Sequence, residues 1–391
     1  MGGSLAGLRV AEALRKLGDD RPIDIVCEEA HLPYDRPPLS KGVLTGSQSY
    51  ADIRFRSDQA LSESAITYRA SWRAVGVDLA RRVVRSSDME IEYEHLVIAS
   101  GARARELGEP SGLDGVHTIR TVGDATRIRE QLSTARNVVV VGAGFIGAEV
   151  ASAARTCGLE VTVVEALASP LARSVGERVG VACAALHAEY GTQLLCGVGV
   201  DSLDGDDHVE AVVLSDGTRI PADLVVVGIG VIPNVEWLDG SGLSVSNGVA
   251  CDQYLCAGRP EVFALGDVAA WPNPRYGETM RIEHWTTTVE QALIVAHNIL
   301  NPDSKRVCDV VPYFWSDQYG HRIQFAGRAG ADEIVEVQTP AARYVALYRR
   351  DDRLIGALTI DGTPLLMQLR GRMATGNDDW IEAVEFASAT T

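Results

Sequence analysis

The chain has 391 residues, 46% of them hydrophobic, with 53 acidic against 36 basic side chains and a net charge of −17. That balance excludes a general affinity for nucleic acid or for an anionic membrane surface. No run of about 18 apolar residues is present to form a membrane span, and no leader peptide is expected. Seven cysteines are scattered without a C-x-x-C or a Cys/His cluster, which fits a reducing cytoplasm and argues against a structural zinc; no metal is expected.

Residues 4–17, SLAGLRVAEALRKL, have the apolar spacing of an amphipathic helix, stopped by Gly18. A short strand over 23–27 follows and ends at Glu28. Gly2, Ser4 and Gly7 stand where a G-x-G-x-x-G nucleotide loop would place its glycines, with serine in the middle. An acid roughly 20 residues beyond such a loop receives the ribose of an adenosine. This module has no opening strand within residues 1–391. The expectation is that a few apolar residues lie upstream of Gly2, since that strand would occupy the middle of a sheet. Next, two adjacent prolines impose an extended path on YDRPPLSK, residues 34–41, and make Arg36 and Lys41 ride on a stiff segment. Residues 52–95 read as short strands and turns, and 91–100 as an apolar strand running into a glycine turn.

A helix is expected over 120–132, carrying Arg129. Then comes the strongest stretch of the chain, NVVVVGAGFIGAEVASAARTCGLEVTVVE, residues 137–165. Its valine run suits a strand buried on both faces of a parallel sheet. Gly142, Gly144 and Gly147 complete G-x-G-x-x-G: a tight turn, a close approach to a pyrophosphate, and close packing of helix on strand. The helix start offers free N–H groups and a positive dipole end to phosphates. A second strand ends at Glu165, whose carboxylate can accept from both ribose hydroxyls. It repels a 2′-phosphate, and no arginine follows it, so NADH is expected over NADPH.

Helical sequence follows Glu165, and a hairpin turn is expected at residues 215–218. LVVVGIG, 224–230, and EVFALGD, 261–267, are apolar strands ending in glycines, the second delivering Asp267 to a carboxyl edge where open sheets bind ligands. Glu283, His284 and Trp285 precede another helix, TTTVEQALIVAHNIL. Beyond residue 310, strands, a hairpin at Asp351 and Asp352 and a helix over 364–373 form a terminal α+β domain of roughly 80 residues.

The two nucleotide modules, LVIASG, LVVVGIG, ALGD and the terminal domain resemble the FAD-dependent pyridine nucleotide oxidoreductases over nearly the whole length. More narrowly, YDRPPLSK (34–41), RIEHW (281–285) and PYFWSDQ (312–318) resemble the NADH-dependent ferredoxin reductases of oxygenase systems, of the putidaredoxin, rhodocoxin and biphenyl dioxygenase reductase type. The resemblance implies an α/β architecture of two Rossmann-like three-layer nucleotide-binding domains, for FAD (1–110 and 240–308) and NAD (111–239), with a C-terminal α+β domain (309–391). It implies FAD contacts from Ala6, Gly7, Glu28, Arg36, Lys41, Ala74, Arg129, Asp267 and Trp285, and NADH contacts from Gly142, Gly144, Gly147, Glu165 and Gly230.

Lys41, paired with Glu149, would supply a cation beside the reduced flavin, and Trp285 would lie by its ring. Dithiol members of the wider family carry C-x4-C after the first acid; here that region holds Leu39, Ser40 and Lys41, and Cys251 and Cys256 are expected to be core thiols. The implied activity passes hydride from NADH to FAD and single electrons to a [2Fe-2S] ferredoxin serving a cytochrome P450 or Rieske oxygenase, in a monomer or weak dimer. An NADH oxidase or monodehydroascorbate-type reductase shares most motifs and differs in its acceptor. An NAD-sensing flavoprotein would turn over slowly.

Overall fold

The valine run of residues 138–141 forms the middle strand of a five-stranded sheet whose every pairing is parallel. The strand order is Gln193–Cys196, Glu160–Glu165, Asn137–Val141, Leu224–Val227 and Val116–Thr118. Val138, Val139, Val140 and Val141 are all buried, as a strand covered on both faces requires. This computed structural model describes residues 1–108 and 112–390. The expected boundary at 110/111 lies outside the described residues. The chain divides into two compact units: Met1–Asp35, Ile53–Arg103 and Ile232–Pro312 form one, and Arg36–Asp52, Ala104–Val231 and Tyr313–Thr391 the other.

In the first unit the amphipathic pattern near the start becomes the helix Leu5–Lys16, ended at Leu17 and Gly18, whose φ is +89°. Its apolar face (Val10, Ala13, Leu14) shares one core with Ala292, Val295 and Ala296 of the helix Trp285–Leu300 and with Phe263, Leu265 and Trp271. Burial of each such valine or leucine contributes about 1.5–3 kcal/mol. Two parallel strand pairs belong to this unit: Ile23–Val26 with Ile66–Arg69, and Leu96–Ile98 with Val262–Ala264. Met1 and Gly2 bridge them. The Met1 amine donates to the Val97 carbonyl (2.8 Å), the Met1 carbonyl accepts from Ala99 N–H (2.7 Å), and Gly2 N–H donates to the Val26 carbonyl (2.9 Å).

The second unit holds the parallel sheet and, from residue 313, an antiparallel sheet. Its order is Tyr313–Gln318, His321–Gly327, Arg353–Ile360, Tyr344–Arg350 and Glu333–Glu336. The turn after the strand Tyr313–Gln318 is one tie between the two sheets' elements. Tyr319 (φ +54°) and Gly320 (φ +83°) reverse the chain. Tyr319 N–H donates to Ser152 Oγ (2.7 Å), and its hydroxyl lies 2.9 Å from both Thr192 Oγ1 and His187 Nδ1. Tyr348 donates its hydroxyl proton to the Val175 carbonyl (2.6 Å). The helix Val122–Leu132 starts at a full capping box, in which Thr121 and Asp124 each bond the other's backbone N–H.

Three sequence expectations change. Residues 37–40 are not extended: Pro37–Ser40 is a 3-10 turn with both prolines in its first positions, where a missing N–H costs nothing and the fixed φ suits a helix. Residues 52–95 include a helix, Asp58–Glu63, capped by Ser57. A second terminal helix, Trp380–Ala389, follows Thr363–Thr375 and is capped by Asp379. The turn at 215–218 and the hairpin at Asp351 and Asp352 lie where expected.

Candidate functional site

The two glycine loops share one geometry although one carries a serine. Gly142 has φ +101° and Gly2 φ +117°, backbone that only glycine adopts freely. A Cβ on Gly147 would stand 2.0 Å from the Gly142 carbonyl oxygen, and one on Gly7 would stand 2.1 Å from that of Gly2. In both loops the third glycine therefore lets helix and loop touch. The middle position differs. Gly144 and Ser4 are extended N-caps at φ −75° and −100°, so this position needs no glycine for its backbone, and serine fits. A Cβ on Gly144 would find the Gly228 oxygen at 4.0 Å, so the helix entrance stays open. The first N–H groups of a helix lack intrahelical partners and suit a phosphate there. The residues present therefore fit a dinucleotide at each loop.

In the first unit, Gly266 (φ +72°) turns the chain so that Asp267 follows the strand Val262–Ala264. A Cβ on Gly266 would meet Ala6 Cβ at 3.4 Å, which puts the Asp267 turn against the first loop. Gln291 is fully buried, and its Oε1 accepts from Gly266 N–H (2.8 Å). Arg281 donates to the Asp267 carbonyl (2.8 Å). Trp285, half-buried at the start of its helix, donates its indole N–H to Asp35 Oδ1 (2.9 Å). Glu28 is exposed after its strand with Arg73 at 3.5 Å. Ala74 is half-buried in the loop that follows Trp72.

In the second unit, Glu149 is 3% exposed on the helix Phe145–Thr156. Lys41 Nζ lies 2.7 Å from Glu149 Oε2, and also donates to the Pro37 carbonyl (3.1 Å). Ser40 Oγ donates to the same carboxylate oxygen (2.5 Å), and Ser316 Oγ donates to Oε1 (2.7 Å). Arg36 donates to the Arg120 carbonyl. Arg129 is exposed on the last turn of its helix. Glu165 Oε2 accepts from Ala143 N–H (2.8 Å) and Oε1 from Leu167 N–H (2.9 Å). A carboxylate has about four acceptor sites, so capacity for ribose hydroxyls remains. Burial, then the Glu165 charge, pushes the Cys196 thiol pKa up. Gly230 is exposed with φ +103°, and its carbonyl accepts from Arg105 N–H (2.9 Å).

Residues 1–292 match the pyridine nucleotide-disulphide oxidoreductase family, and residues 313–387 match the reductase C-terminal family. The chain belongs to the pyridine nucleotide-disulphide oxidoreductases. It is 36% identical to rhodocoxin reductase of Rhodococcus erythropolis over 380 residues, covering 96% of this chain and 88% of that protein. It is 37% identical to the anthranilate 1,2-dioxygenase system ferredoxin–NAD(+) reductase component of Burkholderia cepacia, covering 88% of this chain and 84% of that one. Among solved structures it is similar to the ferredoxin reductase for the CYP199A2 system from Rhodopseudomonas palustris. There the TM-score is 0.90 at 35% identity, and 98% of each chain is covered.

Within this oxidoreductase family the cysteines of the present chain stand as free thiols. Cys256 is buried and donates to the Arg259 carbonyl (2.8 Å), and burial pushes Cys251 up to about 12. The family resemblance implied a pairing of Lys41 with Glu149, and Lys41 Nζ stands 2.7 Å from that carboxylate. Sequence reasoning missed Ser40, Ser316, Gln291 and Asp35. Ser316 sits inside the quoted PYFWSDQ run, and its alternation with Phe314 and Gln318, both buried, was the available signal.

Proposed function

We propose that this chain is the NADH-dependent reductase of an oxygenase system. It takes hydride from NADH onto FAD and passes single electrons to a [2Fe-2S] ferredoxin that feeds a cytochrome P450 or Rieske oxygenase. It works in the cytoplasm as a monomer or weak dimer. The observation that carries this reading is the pair of glycine cradles with matching geometry, Gly2 and Gly7 beside Gly142 and Gly147, in a chain whose relatives are reductase components of such systems. Among the described residues no helix is long and apolar enough to cross a membrane, and no group of three or more His, Cys, Asp or Glu side chains could hold a metal ion.

FAD supplies, when bound, the exchange between a two-electron donor and a one-electron acceptor. The protein binds and orients. We assign residues 1–110 and 240–308 to FAD, 111–239 to NADH and 309–391 to the terminal domain. In the first module Ala6, Gly7 and Glu28 hold the adenosine half of FAD, and the Ala74 backbone meets the adenine. Arg36 and Arg129 serve the phosphates, and Asp267 the ribityl chain. The indole N–H that Trp285 donates to Asp35 orients its ring, which lies by the flavin in this reading. Gly142, Gly144, Gly147 and Gly230 shape the NADH cradle, and Glu165 takes the adenosine ribose. Lys41 would offer its ammonium beside a bound flavin, where it would favour negative charge, and Glu149 holds Lys41 in place. No side chain is required as general acid or nucleophile.

The test is an anaerobic titration of the purified protein with NADH, followed by candidate [2Fe-2S] ferredoxins with cytochrome c as the final acceptor. Bleaching of a flavin band and ferredoxin-dependent cytochrome c reduction are expected. Protein without flavin absorbance, or flavin that NADH does not bleach, overturns the reading.

A further inference from the structure

The buried carboxylate of Glu149 is held from two directions, and one of them is the terminal sheet. Oε2 receives Ser40 Oγ and Lys41 Nζ from the 3-10 turn and its end. Oε1 receives Ser316 Oγ from the strand Tyr313–Gln318. Ser316 is fully buried, and Gln318, equally enclosed, donates its amide N–H to Ser316 Oγ (3.1 Å). A serine hydroxyl has one proton. With Gln318 donating to the oxygen, that proton is directed to Glu149. Phe314, two residues earlier on the same strand face, packs on Phe145 at the start of the Glu149 helix, ring centres 4.2 Å apart. The strand is thus seated on the helix at the position that aims Ser316 at the carboxylate.

We infer that Ser316 is a positioning residue: it fixes the Glu149 carboxylate so that Lys41 is held at one point, and the terminal sheet thereby sets where the active-site cation stands. The inference rests on the reading of Lys41 as the cation beside the reduced flavin ring. Without Ser316, Oε1 loses its buried donor, and the carboxylate, still held at Oε2 by Ser40 and Lys41, gains freedom about its Cγ–Cδ bond. Lys41 then keeps its partner but loses its fixed place. Ground-state binding of NADH does not use this contact, so the loss falls on the chemical step.

Two measurements test this. In the flavin-loaded protein, Ser316→Ala is expected to lower the limiting rate of flavin reduction by NADH about tenfold, with the NADH Kd within about twofold of the parent. Ser316→Thr, which keeps a hydroxyl, restores the rate. Ser316→Ala added to Lys41→Ala lowers it no further, because the two act through one contact.

The second measurement uses the flavin-free protein. The chain has three lysines, Lys16, Lys41 and Lys305, so reductive methylation with labelled formaldehyde gives NMR signals that Lys41→Arg assigns. Lys41 is expected to react more slowly than the other two in the parent and to lose that protection in Ser316→Ala. If Ser316→Ala does not fold, Gln318→Met carries both tests, since it removes the donor that directs the Ser316 proton. Parent-like reduction rate and parent-like Lys41 protection overturn the inference. A parent protein that NADH does not reduce overturns the functional reading instead, and the methylation result still decides the role of Ser316.

Discussion

At Glu149 a carboxylate with 3% exposure meets a lysine, two serine hydroxyls and no bulk water to speak of. A buried pair of this kind is costly to break from one side, because the remaining charge stays desolvated. Lys41→Ala therefore affects two things at once, the local fold and the cation. The limiting rate of flavin reduction is expected to fall at least about tenfold, or 1.4 kcal/mol. An unchanged stopped-flow trace would refute the role. Glu165 is the other single residue with a sharp consequence. Its two oxygens already bind Ala143 and Leu167 N–H groups, so its direction is set before any ribose arrives. kcat/KM is expected to favour NADH over NADPH, and Glu165→Ser to narrow the ratio. Equal values for the two cofactors in the parent protein would sink this reading.

The helices that open at the two glycine loops differ at one position, and the backbone angles rank their tolerance. Ser4 sits at φ −100°, so Ser4→Gly is expected to change unfolding free energy by less than about 1 kcal/mol. Gly7→Ala places a methyl carbon against the Gly2 carbonyl and is expected to cost about 1–3 kcal/mol or more, as overpacked sites do. Chemical denaturation of the two variants checks the contrast, and equal destabilisation would contradict it.

These elements were legible in the sequence because their signals are local. Residues 4–17 carry a helical apolar period, and 137–165 carry strand, glycines, helix and acid in one run. Pro37–Ser40 was misread because two prolines fit both an extended segment and a first helical turn. The helices Asp58–Glu63 and Trp380–Ala389 are short, and short helices owe more to caps and packing than to pattern. The bond between Ser316 and Glu149 joins positions 167 apart in sequence. No local period carries that information; only the pairing of the terminal sheet with the helix Phe145–Thr156 creates it.

On the scale of the molecule, acidity reaches the fold through a buried histidine. His187 lies in the core of the second unit with Nδ1 facing the Tyr319 hydroxyl, and burial lowers its pKa from 6.5 to about 4. Above pH 6.5 it is neutral folded and unfolded. Between those two values the unfolded chain binds a proton that the folded one refuses, so stability falls as pH drops. The loss approaches about 3 kcal/mol at the lower end. Urea unfolding at pH 7 and pH 5 should show this decline, and His187→Gln should flatten it. The same slope in both proteins would assign the acid sensitivity elsewhere.

The helix Phe145–Thr156 has three engagements within two turns: Gly147 on the loop, Glu149 toward Lys41 and Ser152 on the Tyr319 N–H. Successive helix residues are turned by about 100°. Deleting one residue between Glu149 and Ser152 would swing everything beyond it by that angle and disconnect the turn at Tyr319 while the loop stayed bound. Inserting one would swing that part the opposite way by the same angle, with the same loss. Substitutions on the outer side of this helix can accumulate one at a time, but its length cannot drift. Among homologous chains, gaps should fall outside residues 145–156 even where identities in the segment are few.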